Sequence, residues 1–195
     1  LAYLDSCEQF SDRFLRYLRD FRFAGDVYAV PEGTAVFPFE PLVEIVAPLP
    51  QAQLVETMVM NQINLQTVLA SKAVRVVAAA AGRPVVDFGF RRMHGVDAGL
   101  KAARAFYIAG VASTSNVAAG QIYGVPIAGT MAHSYVQAHD EELEAFRRFA
   151  RLYPDTTLLV DTYDTLAGVR HVVTLARELG SAFRVLAIRL DSGDL

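Results

Sequence analysis

Between Ser11 and Phe21 the apolar residues Phe14, Leu15, Leu18 and Phe21 fall at helical spacing, with Arg13, Arg16 and Arg19 on the opposite face. Ser11 stands where an N-cap would, so the pattern predicts a short amphipathic helix. From Gly25 to Pro50 the runs shorten to Val27–Val30, Thr34–Phe37 and Leu42–Val46, each rich in β-formers and bounded by Pro or Gly. They predict a small antiparallel sheet. Gln51 to Ala81 contains neither Pro nor Gly, and its apolar residues recur at helical spacing around Asn61 and Asn64. One long or broken helix, closed by Gly82, is expected there.

Beyond Pro84 a unit repeats: a short apolar run, a polar or Gly-rich corner, then a helical stretch. The runs are Val85–Val86, Tyr107–Val111, Val125–Ala128, Thr157–Val160 and Arg184–Ile188, and the helical stretches include Gly99–Phe106, Glu141–Leu152 and Val169–Leu179. Strands alternating with helices predict βα units on a parallel sheet. Residues 1–82 read as a small mixed α/β domain and 83–195 as five βα units. An open five-strand sheet and an unfinished α/β barrel both fit this alternation. The first residues carry no Met and no secretory pattern, and the last are Asp191-Ser-Gly-Asp-Leu195, so the chain reads as cut at both ends.

Composition narrows the classes. At 195 residues, 53% hydrophobic and 20% charged, the chain can bury a sizeable core and is neither disordered nor fibrous. A formal charge of −3 supplies no bulk basic field for nucleic acid. No apolar run approaches the roughly 18 residues of a membrane span, and the single Cys7 allows no internal disulfide. A soluble, cytoplasmic protein is expected.

The polar residues gather at the ends of the expected strands: Asp87–Arg92, Ser113–Asn116, Gly129–His133, Asp161–Asp164 and Asp191–Asp194. In parallel α/β folds those ends form the ligand crevice, so the five corners are expected to meet at one site. Each corner read singly is equally a turn or helix cap. Arg91 and Arg92 offer guanidinium forks for phosphate or carboxylate, and Asp161, Asp164, Asp191 and Asp194 offer hard oxygens for Mg²⁺ or ribose hydroxyls. The mixture suggests a sugar phosphate with magnesium. Arg91 and Arg189 would alternatively pair with neighbouring aspartates. Phe88 and Phe90 flank Gly89, where one ring would face a planar ligand and Phe90 would pack in the core. His133 ends a strand and opens a helix, His94 is a weaker candidate, and His139 and His171 read as surface residues. No spacing resembles a zinc site. The two lysines, Lys72 and Lys101, lie in helical stretches, which argues against a Schiff-base aldolase.

Taken in order, Phe21–Gly33, Asp87–Arg92, Ser113–Val117, Gly129–Ser134, Leu159–Thr165 and Arg189–Leu195 resemble nicotinate phosphoribosyltransferases over essentially the whole chain. The resemblance implies an NAD-salvage enzyme that joins nicotinate to 5-phosphoribosyl 1-diphosphate, with coupled ATP hydrolysis. It also implies an irregular, quinolinate-phosphoribosyltransferase-like α/β barrel behind a mixed α/β domain, in a homodimer. By position, Phe88 would stack on the pyridine, and Arg91 and Arg189 would hold phosphate or carboxylate. Thr130 would line the nicotinate pocket, and Ser115 would lie beside the pyridine substituent, where the nicotinamide-using relative has an aspartate. His133 would be phosphorylated by ATP, and Asp191 and Asp194 would address ribose hydroxyls and Mg²⁺. The alternatives are a nicotinamide phosphoribosyltransferase, another phosphate-binding barrel enzyme, and an inactive fragment acting as a binding module.

Overall fold

In the computed structural model, which describes residues 1–193, the chain divides into two compact units, Leu1–Pro126 and Ile127–Leu195. The first opens with a short helix α1 (Ala2–Ser6). Helix α2 (Asp12–Arg19) follows, and its Ser11 cap accepts a hydrogen bond from the Phe14 N–H at 3.3 Å. Strands β1 (Asp26–Ala29) and β2 (Val43–Val46) pair antiparallel, with Asp26 opposite Val46. Helix α3 (Leu49–Ala79) begins with Pro50 in its first turn, where a missing N–H leaves no bond unmade. It ends where Ala81 and Gly82 turn left-handed, at φ 50° and 85°.

Helix α4 (Val96–Ile108) packs on α3, and its small residues Gly99, Ala102, Ala103 and Ala105 are buried. Arg104 on α4 holds Glu32 through two 2.6 Å bonds and reaches Gln66 on α3 at 3.4 Å, so the β1–β2 connection is tied to both helices. The hydrogen bond from Arg104 holds the Glu32 carboxyl below its usual range. Strand β3 (Val86–Asp87) runs parallel to β4 (Ser113–Thr114), and α5 (Val117–Tyr123) follows, capped by Asn116, whose side chain accepts from the Ala119 N–H.

The second unit contains α6 (His133–Gln137), α7 (Glu142–Leu152), β5 (Thr157–Leu159), α8 (Thr165–Leu179) and β6 (Ala187–Arg189). β5 and β6 are parallel, in register from Thr157–Ala187 to Leu159–Arg189. Val136, Phe146, Leu158, Leu159, Val160 and Leu175 are fully buried together. Each such side chain contributes about 1.5–3 kcal/mol by leaving water. α8 lies against the end of β5 because Gly168 has no side chain: a Cβ there would meet the Val160 carbonyl oxygen at 2.2 Å. Asp164 caps α8, accepting from the Ala167 N–H at 2.7 Å.

Several expectations need correction. Thr34–Phe37 is a loop, not a strand, because Pro31 and Pro38 break it and Phe37 donates its N–H to Glu40 Oε2 at 2.8 Å. Tyr107 and Ile108 continue α4, Gly110 turns the chain at φ 99°, and the strand falls on Ser113–Thr114. Val125–Ala128 reduces to one bridging residue, Ile127. Among the described residues the ladders are three separate two-stranded sheets, not one five-stranded sheet. His171 is no plain surface residue: its Nδ1 lies 2.8 Å from the buried carboxylate of Glu142. His139 likewise is half-buried, with its Nδ1 2.9 Å from the Tyr135 carbonyl oxygen. Among the described residues no helix is long and apolar enough to cross a membrane.

Candidate active site

In the first unit the polar corner is organised by Asp87 at the end of β3. Its Oδ1 accepts from the Gly89 N–H at 2.7 Å and its Oδ2 from the Thr114 hydroxyl at 2.8 Å. The Thr114 oxygen in turn accepts from the Asn116 N–H at 3.1 Å. These bonds shape the Phe88–Arg92 turn and the start of α5, leaving Arg91 and Arg92 exposed on a 3₁₀ turn. Phe90 lays its ring edge against Gly99, where a Cβ would sit 2.5 Å from it, but at 41% exposed it does not lie in the core as expected and is about as open as Phe88 at 44%. The Ser115 N–H donates to the Asp87 carbonyl at 2.8 Å, and Ser115 is half-buried.

In the second unit His133 is the first residue of α6, and its ring is held on two sides. Nδ1 is 3.2 Å from the Thr162 hydroxyl oxygen and Nε2 is 3.4 Å from Asp191 Oδ2. A carboxylate beside Nε2 favours the tautomer protonated there, leaving Nδ1 to accept from Thr162. Asp191 also pairs with the Arg189 guanidinium. The ring and the Asp191 carboxylate are each about a third exposed, so both face solvent while fixed in orientation. Such a histidine can exchange a proton or attack an electrophile without first reorienting.

Asp161, at the end of β5, has its Oδ2 loaded with three donors: the Asp191 N–H at 2.7 Å, and the Ser192 N–H and hydroxyl each at 2.8 Å. Its Oδ1 is buried with no hydrogen-bond partner. Burial raises the Asp161 pKa, but the donors from Asp191 and Ser192 outweigh it and hold the carboxyl below its ordinary value. Thr130 donates its hydroxyl to the Thr157 carbonyl at 3.2 Å and is half-buried. Among the described residues no three His, Cys, Asp or Glu side chains cluster as a metal centre. Asp161 Oδ2 is filled by its three donors and Oδ1 is buried, so the carboxylate here that fits Mg²⁺ of the kind that arrives with substrate phosphates and takes only one or two carboxylates is that of Asp191. Asp194 lies outside the described residues.

Residues 84–195 match the model of the nicotinate phosphoribosyltransferase (NAPRTase) family, and residues 1–64 match that of the NAPRTase N-terminal domain. This chain belongs to the nicotinate phosphoribosyltransferase family. It is 65% identical over all 195 residues to a nicotinate phosphoribosyltransferase of Mycobacterium tuberculosis, covering 42% of that protein. It is 42% identical to a nicotinate phosphoribosyltransferase of Bacillus subtilis, covering 40% of it. The chain thus spans about two fifths of the length of these curated relatives. Human nicotinic acid phosphoribosyltransferase superposes with a TM-score of 0.88 at 29% identity, over 98% of this chain and 49% of that one. A nicotinate-nucleotide pyrophosphorylase from Pyrococcus furiosus superposes with a TM-score of 0.76, also at 29% identity, over 88% of this chain and 43% of that one.

Within this family member, the second unit brings together His133, Arg189 and Asp191, three of the residues singled out in the sequence. Reading the sequence missed Thr162 as a partner of His133 and Ser192 as a partner of Asp161. Their signal was present, since both stand in polar strand-end corners beside an aspartate. The pairing needed the parallel alignment of β5 with β6, which carries Asp161 next to residues 191 and 192. Asp164, read as a hard-oxygen candidate, has Oδ1 engaged in capping α8.

Proposed function

We propose that the protein bearing this chain is a nicotinate phosphoribosyltransferase of NAD salvage, joining nicotinate to 5-phosphoribosyl 1-diphosphate to give nicotinate mononucleotide and diphosphate. The observation that carries the reading is the 65% identity, over the whole chain, to a relative bearing that name. In the reaction the unprotonated pyridine nitrogen forms a bond to ribose C1, while the C1–oxygen bond breaks and its electron pair leaves with diphosphate. The task is to stabilise a cationic ribose and a departing polyanion, and strong general-base chemistry is unnecessary. Asp191, together with Asp194, would face the ribose, and Arg189 and Arg91 would hold diphosphate or carboxylate. Phe88 would stack on the pyridine, with Thr130 and Ser115 lining its surroundings. Mg²⁺ bound with the diphosphate would neutralise its developing charge, held on the protein side by Asp191 and Asp194.

His133 supports coupling to ATP. A ring nitrogen attacks the γ-phosphorus as the bond to the ADP oxygen breaks, and water later cleaves the N–P bond to release phosphate. The attacking atom is Nδ1, released as the Thr162 hydroxyl turns aside, while Asp191 keeps the Nε2 proton and the ring's orientation. The proposal extends to an irregular α/β barrel formed from residues 83–195 onward behind the 1–82 domain, a homodimer, and a cytoplasmic location.

The test uses a chain of the relatives' length bearing this sequence. Nicotinate mononucleotide is expected from nicotinate and phosphoribosyl diphosphate, and its absence refutes the assignment. With γ-labelled ATP, acid-labile, base-stable label is expected on the protein and lost in His133→Ala. Label that persists in that variant rejects His133 as the carrier.

A further inference from the structure

We infer that Asp161 is a positioning residue for this reaction, acting through Asp191, and the inference rests on the proposed function. Three donors from residues 191 and 192 converge on one oxygen, Oδ2, at 2.7–2.8 Å. Two of them are backbone amides, so the bonds set the path of the main chain just after β6 as well as one rotamer. The Asp191 side chain leaves that clamped backbone and reaches His133 Nε2 at 3.4 Å. The next residue after Asp161, Thr162, faces the other ring nitrogen at 3.2 Å. The dipeptide 161–162 therefore governs both edges of the imidazole, one directly and one through Asp191.

The loading of the carboxylate argues for this role. Oδ2 takes three donors from residues 191 and 192 while Oδ1 is buried without a partner, so the carboxylate's whole hydrogen-bonding capacity in use is spent on holding that segment. A carboxylate accepts three such bonds on one oxygen better than a neutral amide, yet the carbonyl oxygen of an asparagine still accepts from N–H groups. That difference separates positioning from a direct part in binding charge or metal, because Asp161→Asn keeps an acceptor and loses the charge.

The experiment compares wild type, Asp161→Asn, Asp161→Ala and Ser192→Ala in a chain of the relatives' length, by steady-state kinetics and by amide hydrogen exchange at Asp191 and Ser192. Asp161→Ala is expected to lower kcat about 30-fold or more with the KM for nicotinate within about twofold, while Asp161→Asn stays within about fivefold of wild type. Adding Asp161→Ala to Asp191→Asn should cost no more than about a further twofold, since both act through the Asp191 carboxylate's hold on His133. Exchange at the two amides should quicken at least about tenfold in Asp161→Ala and much less in Asp161→Asn. Ser192→Ala, which leaves the buried carboxylate in place, should give the same pattern more weakly. The inference is overturned by an Asp161→Asn loss equal to that of alanine, by full additivity with Asp191→Asn, or by unchanged exchange in Asp161→Ala. Wild-type protein that makes no mononucleotide overturns the proposed function alone, and the clamp then stands or falls on the exchange rates.

Discussion

Alanine at position 168 would place its Cβ 2.2 Å from the Val160 carbonyl oxygen, 2.9 Å from the carbonyl carbon and 3.0 Å from the Val160 Cβ. Adding atoms to a packed interior costs about 1–3 kcal/mol when neighbours can adjust. Here the nearest atom is main chain, and the Val160 side chain is itself fully buried, so the upper end of that range applies. Exchanging glycine for alanine inside a helix returns about 1 kcal/mol. The net expectation is a loss of about 2 kcal/mol, or about 4–8 °C in Tm for a chain of this size. Urea unfolding followed by circular dichroism measures it, with Gly129→Ala as the control, because nothing lies within 4 Å of a Cβ at Gly129. A Gly168→Ala protein within about 0.5 kcal/mol of wild type, the scatter of neutral substitutions, would refute the packing argument.

The Glu32–Arg104 pair should contribute stability that depends on pH. The Glu32 carboxyl is held below its usual value by the hydrogen bond from Arg104, so the contribution is complete above the unfolded value of about 4.5 and is lost as pH falls through the lowered folded one. Because Glu32 is largely exposed, a double-mutant cycle with Glu32→Gln and Arg104→Gln should give only about 0.5–1 kcal/mol at pH 7 and near zero at pH 2; equal coupling at both would contradict the assignment. Ser115→Asp should reduce kcat/KM for nicotinate about 10- to 100-fold, because a carboxylate beside the pyridine substituent repels the acid, and unchanged kinetics would remove Ser115 from the base pocket.

Short-range chemistry made much of this protein readable in its sequence. Ser11 before an apolar period of 3.6 announced α2, the absence of Pro and Gly from 51 to 81 announced α3, and alternating apolar runs and helical stretches announced an α/β chain. Those features depend on each residue's own conformational preferences and on neighbours three or four positions away, so no knowledge of the fold is needed. His133, Arg189 and Asp191 were legible as candidates for the same reason, since polar residues at strand ends mark the ligand side of parallel α/β units.

Tertiary structure decided which of those residues touch. The strand after α4 moved from Tyr107–Val111 to Ser113–Thr114 because helical bonding carried on through Ile108, and an apolar run cannot tell a helix end from a strand. His171 looked like a surface residue on α8 until α7 brought Glu142 against it across 29 positions of sequence. Asp161 looked like a ligand, and became the anchor of residues 191 and 192 only through the pairing of β5 with β6. Contacts between residues this far apart depend on strand register and helix packing, which the whole chain determines together, so local composition leaves them open.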